Sequence, residues 1–547
     1  MGNSLEQTIE KILKDYVGTV THTSTALENN NQVFFERYFS GIEYFAAHPE
    51  HWGFHPIKND PLNRKVPWGL LKGKGSDTIV LIHHSDTVDA DDYGSLKSLA
   101  HHPFELTRQY ANGAADLHEE ARRDLASGEW LFGRGVADMK GGASIHLALL
   151  EEYSKDKDFS GNLLLLGLPD EENLSAGMRG AISLLTELKE AHHLNYILLL
   201  NVEPQERAEE DLMRLYDGSV GKLMPIFYVR GKLAHVAQVF QGLNPIHILS
   251  EIVAATELNP GFSEQVGNSK TPPPTWLFLK DRKEVYDVSL PLSAAGYMNV
   301  LTLGRPAMDI MEQLKKLSRE AFDRVIRRSN ESYRRYTGDE TACLPWQSNV
   351  KTYQQVYQQA LADSGGALLQ SLVEYEKAAK EKIEKGELSM AEAAFGLIEQ
   401  TVAHLKDASP LVVLAMSPPY YPHVNNAMLP QKNAAVNALL KHLEDHAREA
   451  LGCRFHVENY YFGISDLSYG LFESDQANTD FIKSNMLLWG DIYSIPLEDI
   501  RALSIPVLNI GPWGKDFHKY TERVNLKDLK HRIPSMVKAT IEHLLNP

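Results

Sequence analysis

The chain has 547 residues, 43% apolar and 23% charged, the balance of a globular protein with room for one large core and a further domain. Lys+Arg 55 against Asp+Glu 72 gives a net charge of −17, which argues against a nucleic-acid or anionic-membrane surface and leaves no nucleic-acid or membrane partner expected. With only Cys343 and Cys453, cysteine spacing offers neither a disulfide framework nor a zinc site, and a reducing cytoplasm is the expected location.

Leu5, Ile9, Ile12, Leu13, Tyr16 and Val17 recur at helical spacing, so an amphipathic helix opens the chain. No basic n-region or apolar h-region precedes it, and Glu6 stands where a myristoylation motif needs Ser or Thr. Neither export nor a lipid anchor is therefore expected. A second helix is predicted over 32–46, and strands over 68–73 and 77–84. The second strand ends in His83-His84-Ser85-Asp86. Strand side chains alternate, so His84 and Asp86 share a face and His83 points the other way. Residues 90–129 are polar and His-rich with no clear period; then Gly133-Arg134-Gly135-Val136-Ala137-Asp138-Met139-Lys140-Gly141-Gly142 places Asp138 on a tight loop.

A helix over 143–153 is followed by Leu163-Leu164-Leu165-Leu166-Gly167-Leu168, a run of strand length ending in Asp170-Glu171-Glu172. So apolar a run predicts a buried strand of a parallel sheet, where ligands gather beyond the carboxyl ends. Three crowded carboxylates are tolerable only if solvated, protonated or neutralised by cations. A helix over 178–188 and a strand over 196–200 repeat the pattern, ending in Glu203.

Past Gly218 and Gly221 the order of elements changes. A strand over 223–230, a helix over 245–257, strands over 275–280 and 286–291 and a long basic helix over 308–336 predict a small α+β domain inserted into a larger α/β one. Residues 354–405 read mostly as helix, with 374–387 a solvated charged face, and a strand over 411–416 closes the insert. A helix over 433–451, the segment 455–472 and a strand over 506–510 return to the first domain. His518 lies just past that last strand. No apolar run approaches the roughly 20 residues that span a bilayer.

His84 and Asp86, Asp138, Glu171 and Glu172, Glu203 and His518 all fall at or near strand ends, and two His with three carboxylates make a mixed nitrogen and oxygen set suited to a pair of zinc or similar divalent ions with one shared carboxylate, leaving a further one to move protons. In this order the blocks around His84-Ser85-Asp86-Thr87-Val88, Gly133 to Gly142, Pro169-Asp170-Glu171-Glu172, Glu203-Pro204, and His518 with Glu522 resemble the motifs of the M20 family of metallopeptidases and amidohydrolases. The resemblance implies an α/β fold, a zinc-peptidase-like catalytic domain with a central mixed sheet flanked by helices (1–217 and 425–547), plus an inserted α+β lid domain (218–424). Length, the large insert and the Asp170-Glu171-Glu172-Asn173-Leu174-Ser175 block are most similar to the arginine-utilisation RocB-type branch.

Carried over residue by residue, the resemblance implies that His84 and Glu203 bind one metal, Glu172 and His518 the other, and Asp138 bridges them. Asp86 would accept a hydrogen bond from the far nitrogen of His84, and Glu171 would be the general base. In the insert, His235 would help hold the oxyanion, Asn244 would contact substrate, and Arg305 aligns with an arginine that grips a substrate carboxylate. The implied substrate is a small N-acyl amino acid or short peptide. About 200 residues between Gly218 and Val424 exceed the usual lid, which leaves open whether the chain forms the family's lid-to-lid homodimer. No Gly-x-Ser-x-Gly elbow and no P-loop lysine followed by Ser or Thr occur, disfavouring a serine hydrolase or a nucleotide enzyme. The rival from another class is a metal-binding or regulatory protein that kept the fold and lost turnover.

Overall fold

The computed structural model describes residues 4–207 and 209–545. The chain divides into two compact units. The first comprises Met1–Val220, His423–Glu473 and Pro496–Pro547, and the second Gly221–Pro422 and Ser474–Ile495.

The first unit is built on an eight-stranded mixed sheet with the order Trp52–Pro56, Lys65–Lys72, Asn162–Leu168, Asp77–His84, Asn195–Asn201, Val507–Asn509, Leu212–Tyr216 and Arg454–Glu458. Asp77–His84 runs parallel to both its neighbours, and Val507–Asn509 runs parallel to Asn195–Asn201. Four adjacent strands therefore end on one edge. Every residue of Asn162–Leu168 is buried, as expected of a strand covered on both faces. The helices Leu5–Gly18 and Lys140–Tyr153 pack on each other, and Ile533–Leu545 joins the same apolar core. Ser4 closes the first of them with a capping box to Gln7.

The second unit carries a sheet ordered Thr275–Asp281, Ser293–Thr302, Pro225–Arg230, Leu411–Met416 and Val350–Thr352, with Gly221–Leu223 added beside Ser293–Thr302. Pro245–Thr256 and the 31-residue helix Ala307–Thr337 pack together, and Met390–Ala403 contributes to a separate core with Ile226, Phe395 and Val413. No helix among the described residues is long and apolar enough to cross a membrane.

Several local expectations need correction. The predicted helix over 32–46 is two, Asn30–Ser40 and Glu43–Ala47, with Gly41 ending the first. The polar stretch 90–129 contains the helices Pro103–Ala111 and Glu119–Ser127, held by the buried cluster of Leu106, Tyr110, Trp130 and Phe132; nine-residue helices with three buried positions and one leave little period to read. Residues 286–291 are not a strand. Val285 and Tyr286 are 77% and 88% exposed, and the partner of Thr275–Asp281 is Ser293–Thr302, whose Ser-Ala-Ala-Gly start lacks the bulky alternation that marks a strand. Finally, Ser474–Ile495 belongs to the second unit, not with the rest of 425–547. Asn478 Oδ1 accepts from Met308 N at 3.0 Å and Asn485 Oδ1 from Gln354 N at 3.1 Å, fastening the helix Gln476–Asn485 to helices of that unit.

Candidate metal centre

His84 is the last residue of its strand and is fully buried. Its Nδ1 lies 3.0 Å from the backbone carbonyl of Asp86 and 3.7 Å from the Asp86 carboxylate. The expected bond to the carboxylate is thus replaced by one to the carbonyl, because the Asp86 side chain is occupied elsewhere: it accepts from Glu171 N at 3.1 Å and Glu172 N at 3.2 Å. A carbonyl only accepts, so Nδ1 carries a proton and Nε2 is the atom left for a cation once deprotonated. His83 points the other way, its Nε2 3.2 Å from the Tyr16 hydroxyl.

The Nε2 atom of His84 faces Asp138 Oδ1 at 2.9 Å and Glu203 Oε1 at 3.9 Å. The other oxygen of Asp138, Oδ2, faces His518 Nε2 at 3.2 Å, and His518 Nε2 is 3.0 Å from Glu172 Oε2. One carboxylate therefore turns its two oxygens towards two half-sites. Ligand atoms of His84, Asp138 and Glu172 lie within 4.8 Å of one another, and so do those of His84, Glu171 and Glu203. This mixture of imidazole and carboxylate fits divalent cations of the zinc type. His235, Asn244 and Arg305 belong to the second unit and are described within it below.

Each residue is held by its own support. Glu522, buried, accepts from Ala137 N at 3.1 Å and Asp138 N at 3.3 Å, while Arg134 Nη1 donates to it at 2.8 Å. The loop needs Gly135, whose φ is +77° and where an added Cβ would lie 2.8 Å from Thr87 Cγ2. Behind Glu171 and Glu172, Arg64 Nη1 donates to Asp170 Oδ1 at 2.6 Å and to Glu28 Oε1 at 2.8 Å, and Asp170 Oδ2 accepts from Ala176 N at 3.2 Å. Asn509 Nδ2 donates to the Glu203 carbonyl at 3.0 Å. An added Cβ on Gly511 would meet that carbonyl oxygen at 1.9 Å, so only glycine permits the approach.

Without a cation the electrostatics are strained. Burial pushes the Glu171 and Glu203 carboxyls well above the usual range, with His84 opposing and neighbouring carboxylates adding to the rise. Burial disfavours the His84 imidazolium, yet Glu203, Asp138 and Asp86 hold its pKa well above the ordinary value. His518, hydrogen-bonded to Asp138 and Glu172, is pushed up to about 10. Burial, with Asp86 and Asp170 adding to the rise, lifts Asp466 to about 7. The sequence reading missed Asp466 and Arg64, which lie in no periodic or glycine-flanked pattern; it quoted Arg134 and Glu522 within motif blocks but gave them no role.

A family profile described as "Peptidase family M20/M25/M40" matches residues 80–542. The chain belongs to this family. YqjN of Bacillus subtilis (strain 168) is 34% identical over 510 residues, covering 92% of this chain and 90% of that protein. RocB of the same organism is 30% identical over 550 residues, covering 98% and 95%. Among solved structures, aminopeptidase PepT from Bacillus cereus ATCC 10987 aligns with a TM-score of 0.52 at 13% identity over 98% of each chain. A tripeptidase from Staphylococcus aureus aligns at 0.51, also 13% identical, over 99% of each. These likenesses carry the fold of M20 peptidases, and with the family assignment make the chain an M20-type hydrolase.

The lid residues named from the M20 resemblance have local partners. Exposed His235 accepts at Nδ1 from Ala237 N at 3.2 Å, which leaves its proton on Nε2 as a free donor. Asn244 Oδ1 caps the helix Pro245–Thr256 by accepting from Ile246 N at 2.9 Å. Arg305 Nη2 donates to Gln313 Oε1 at 2.7 Å.

Proposed function

We propose that the chain is a binuclear metal-dependent hydrolase cleaving the amide or peptide bond of a small N-acyl amino acid or short peptide. The observation that carries this reading is the division of the Asp138 oxygens between His84 and His518, 2.9 Å and 3.2 Å away. His84 and Glu203 would hold one cation, Glu172 and His518 the other, and Asp138 both. Zinc suits this donor set. When bound, the cations supply Lewis acidity to the nucleophilic water and to the scissile carbonyl.

The chain's own residues do the rest. Glu171 takes the proton of the attacking water and delivers it to the leaving amine, a role supported by the burial that raises its pKa well above the ordinary carboxylate range. His235, with Nε2–H free, donates to the oxyanion of the tetrahedral intermediate. Arg305 takes a substrate carboxylate and Asn244 a substrate amide. Likeness to RocB suggests amino-acid catabolism, arginine's included, as the setting. The test is elemental analysis of protein prepared without chelator, together with amine release from N-acyl amino acids and dipeptides. Two equivalents of metal with turnover are expected; metal without turnover would favour the regulatory alternative.

A further inference from the structure

On the long helix of the second unit, Lys315 and Arg319 are four residues apart and so share a face. That face meets the strand Val350–Thr352, and together with Ser348, Asn349, Lys351 and Gln355 the two cations line a cavity of about 420 Å³. The remaining lining residue is Val350, so no carboxylate faces the space. In a chain of net charge −17, three cations around one cavity call for an explanation, since like charges brought together repel.

The cations are poorly neutralised by their own neighbours. Lys315 has Glu312 at 3.7 Å, and Glu312 is 57% exposed, so this pair is loose and screened. Lys351 donates to the amide oxygen of Gln359, which carries no charge, and Asp407, the carboxylate that feels its charge, lies outside the cavity lining. The cavity also lies at the start of the twelve-residue helix Tyr353–Ser364, capped by Thr352, whose dipole favours a negative charge there. Ser348, Asn349 and Gln355 add neutral polar groups.

We propose that this cavity binds an oxyanion, the phosphate or carboxylate group of a small metabolite, and that Lys315, Arg319 and Lys351 are its charged anchors. The guanidinium takes two oxygens side by side, and the two ammonium groups act as point charges on the remainder. Nothing in this assignment depends on the metal centre.

The test is isothermal titration calorimetry of the full chain with inorganic phosphate, with citrate, and with chloride at matched ionic strength. Wild type is compared with Arg319→Gln and with Arg319→Gln/Lys351→Gln. One saturable site per chain is expected, weakened by about tenfold or more for each cation removed, with affinity falling as salt rises. Binding of phosphate alone identifies a phosphorylated ligand, and binding of citrate alone a polycarboxylate; either supports the site. Any anion held at the metals is common to wild type and variants and cancels. Binding equal in wild type and both variants, or none beyond chloride, overturns the proposal. Arg319 is exposed, so its single variant folds and suffices if the double variant does not.

Discussion

In the first unit His84 is buried with Nδ1 committed to the Asp86 carbonyl and Nε2 to Asp138; in the second, His235 is exposed and its ring accepts at Nδ1 from the Ala237 backbone N–H. The same contrast separates Asp138, clamped by Glu522 through two backbone N–H groups, from Arg305, whose side chain meets one neutral amide. Groups that hold a cation must be aimed before it arrives, because each misplacement weakens every ligand bond at once. Groups that meet substrate only during turnover can wait in solvent, where they lose no desolvation energy. Burial of His84 and Glu203 and exposure of His235 accord with that difference in timing, although His518 is itself about half exposed and Asn244 and Arg305 are half-buried.

The sharpest way to break the comparison is Glu171→Gln, which keeps size and removes the base. Turnover should fall by ~10²–10⁴ with metal content unchanged. Because ligand atoms of Glu171, Glu203 and His84 lie within 4.8 Å of one another, metal analysis of the same variant is decisive. Loss of metal would make Glu171 a ligand and exchange its role with Glu172. Next is His235→Ala, expected to lower turnover by ~10²–10³, the cost of one oxyanion donor, while metal binding stays intact. Unchanged turnover would leave the exposed imidazole without a part in the chemistry.

Smaller effects probe the supports. Asp86→Ala removes the acceptor that fixes the Glu171 and Glu172 backbone, and metal affinity should fall by ~10–100-fold, as for loss of an outer partner; a competition titration with a chromogenic chelator measures it. The pH dependence follows from His518. Its pKa of about 10 in the metal-free chain means that it is protonated at pH 7 and must release that proton to take a cation. Affinity should therefore rise with pH between roughly 6 and 9, by up to ~10-fold per unit for each proton displaced. Calorimetry in buffers of different ionisation heat would count the protons, and a count of zero would remove His518 from the ligand set.

How much of this was legible beforehand depends on where each signal lies. The strands were readable because a short apolar run bounded by polar or turn-forming residues is a local signal: 77–84 and 411–416 were predicted with the bounds observed. The insert was expected over 218–424, and the second unit comprises Gly221–Pro422 and Ser474–Ile495. What escaped needs partners distant in sequence. Arg64 meets Asp170 across 106 positions with no motif around it, and Glu522, although marked by the motif it shares with His518, meets Ala137 across 385, a pairing that local sequence does not show. Ser293–Thr302 escaped for a different reason: its small residues are buried beneath Trp276 and Phe278, so the bulk lies on the partner strand. The Asp86 carboxylate lies 3.7 Å from His84 Nδ1 and also accepts from Glu171 N and Glu172 N, since spacing fixes the direction of a side chain and not which further donors reach it.

The smallest effect separates two duties of a single side chain. Asn244 Oδ1 caps the helix Pro245–Thr256, while the proposed substrate contact would use the amide nitrogen, which the cap leaves uncommitted. Asn244→Ala removes both, and should cost about 1 kcal/mol of stability as a lost N-cap as well as any loss in binding. Asn244→Asp keeps an oxygen for Ile246 N, places a negative charge at the helix start where the dipole favours it, and removes only the donor. Thermal unfolding of the Asp variant should therefore match wild type while KM rises. If the Ala variant loses stability and the Asp variant keeps both stability and KM, Asn244 is a cap alone, and the contrast drawn above then extends to it: a residue settled by its local fold and not held back for substrate.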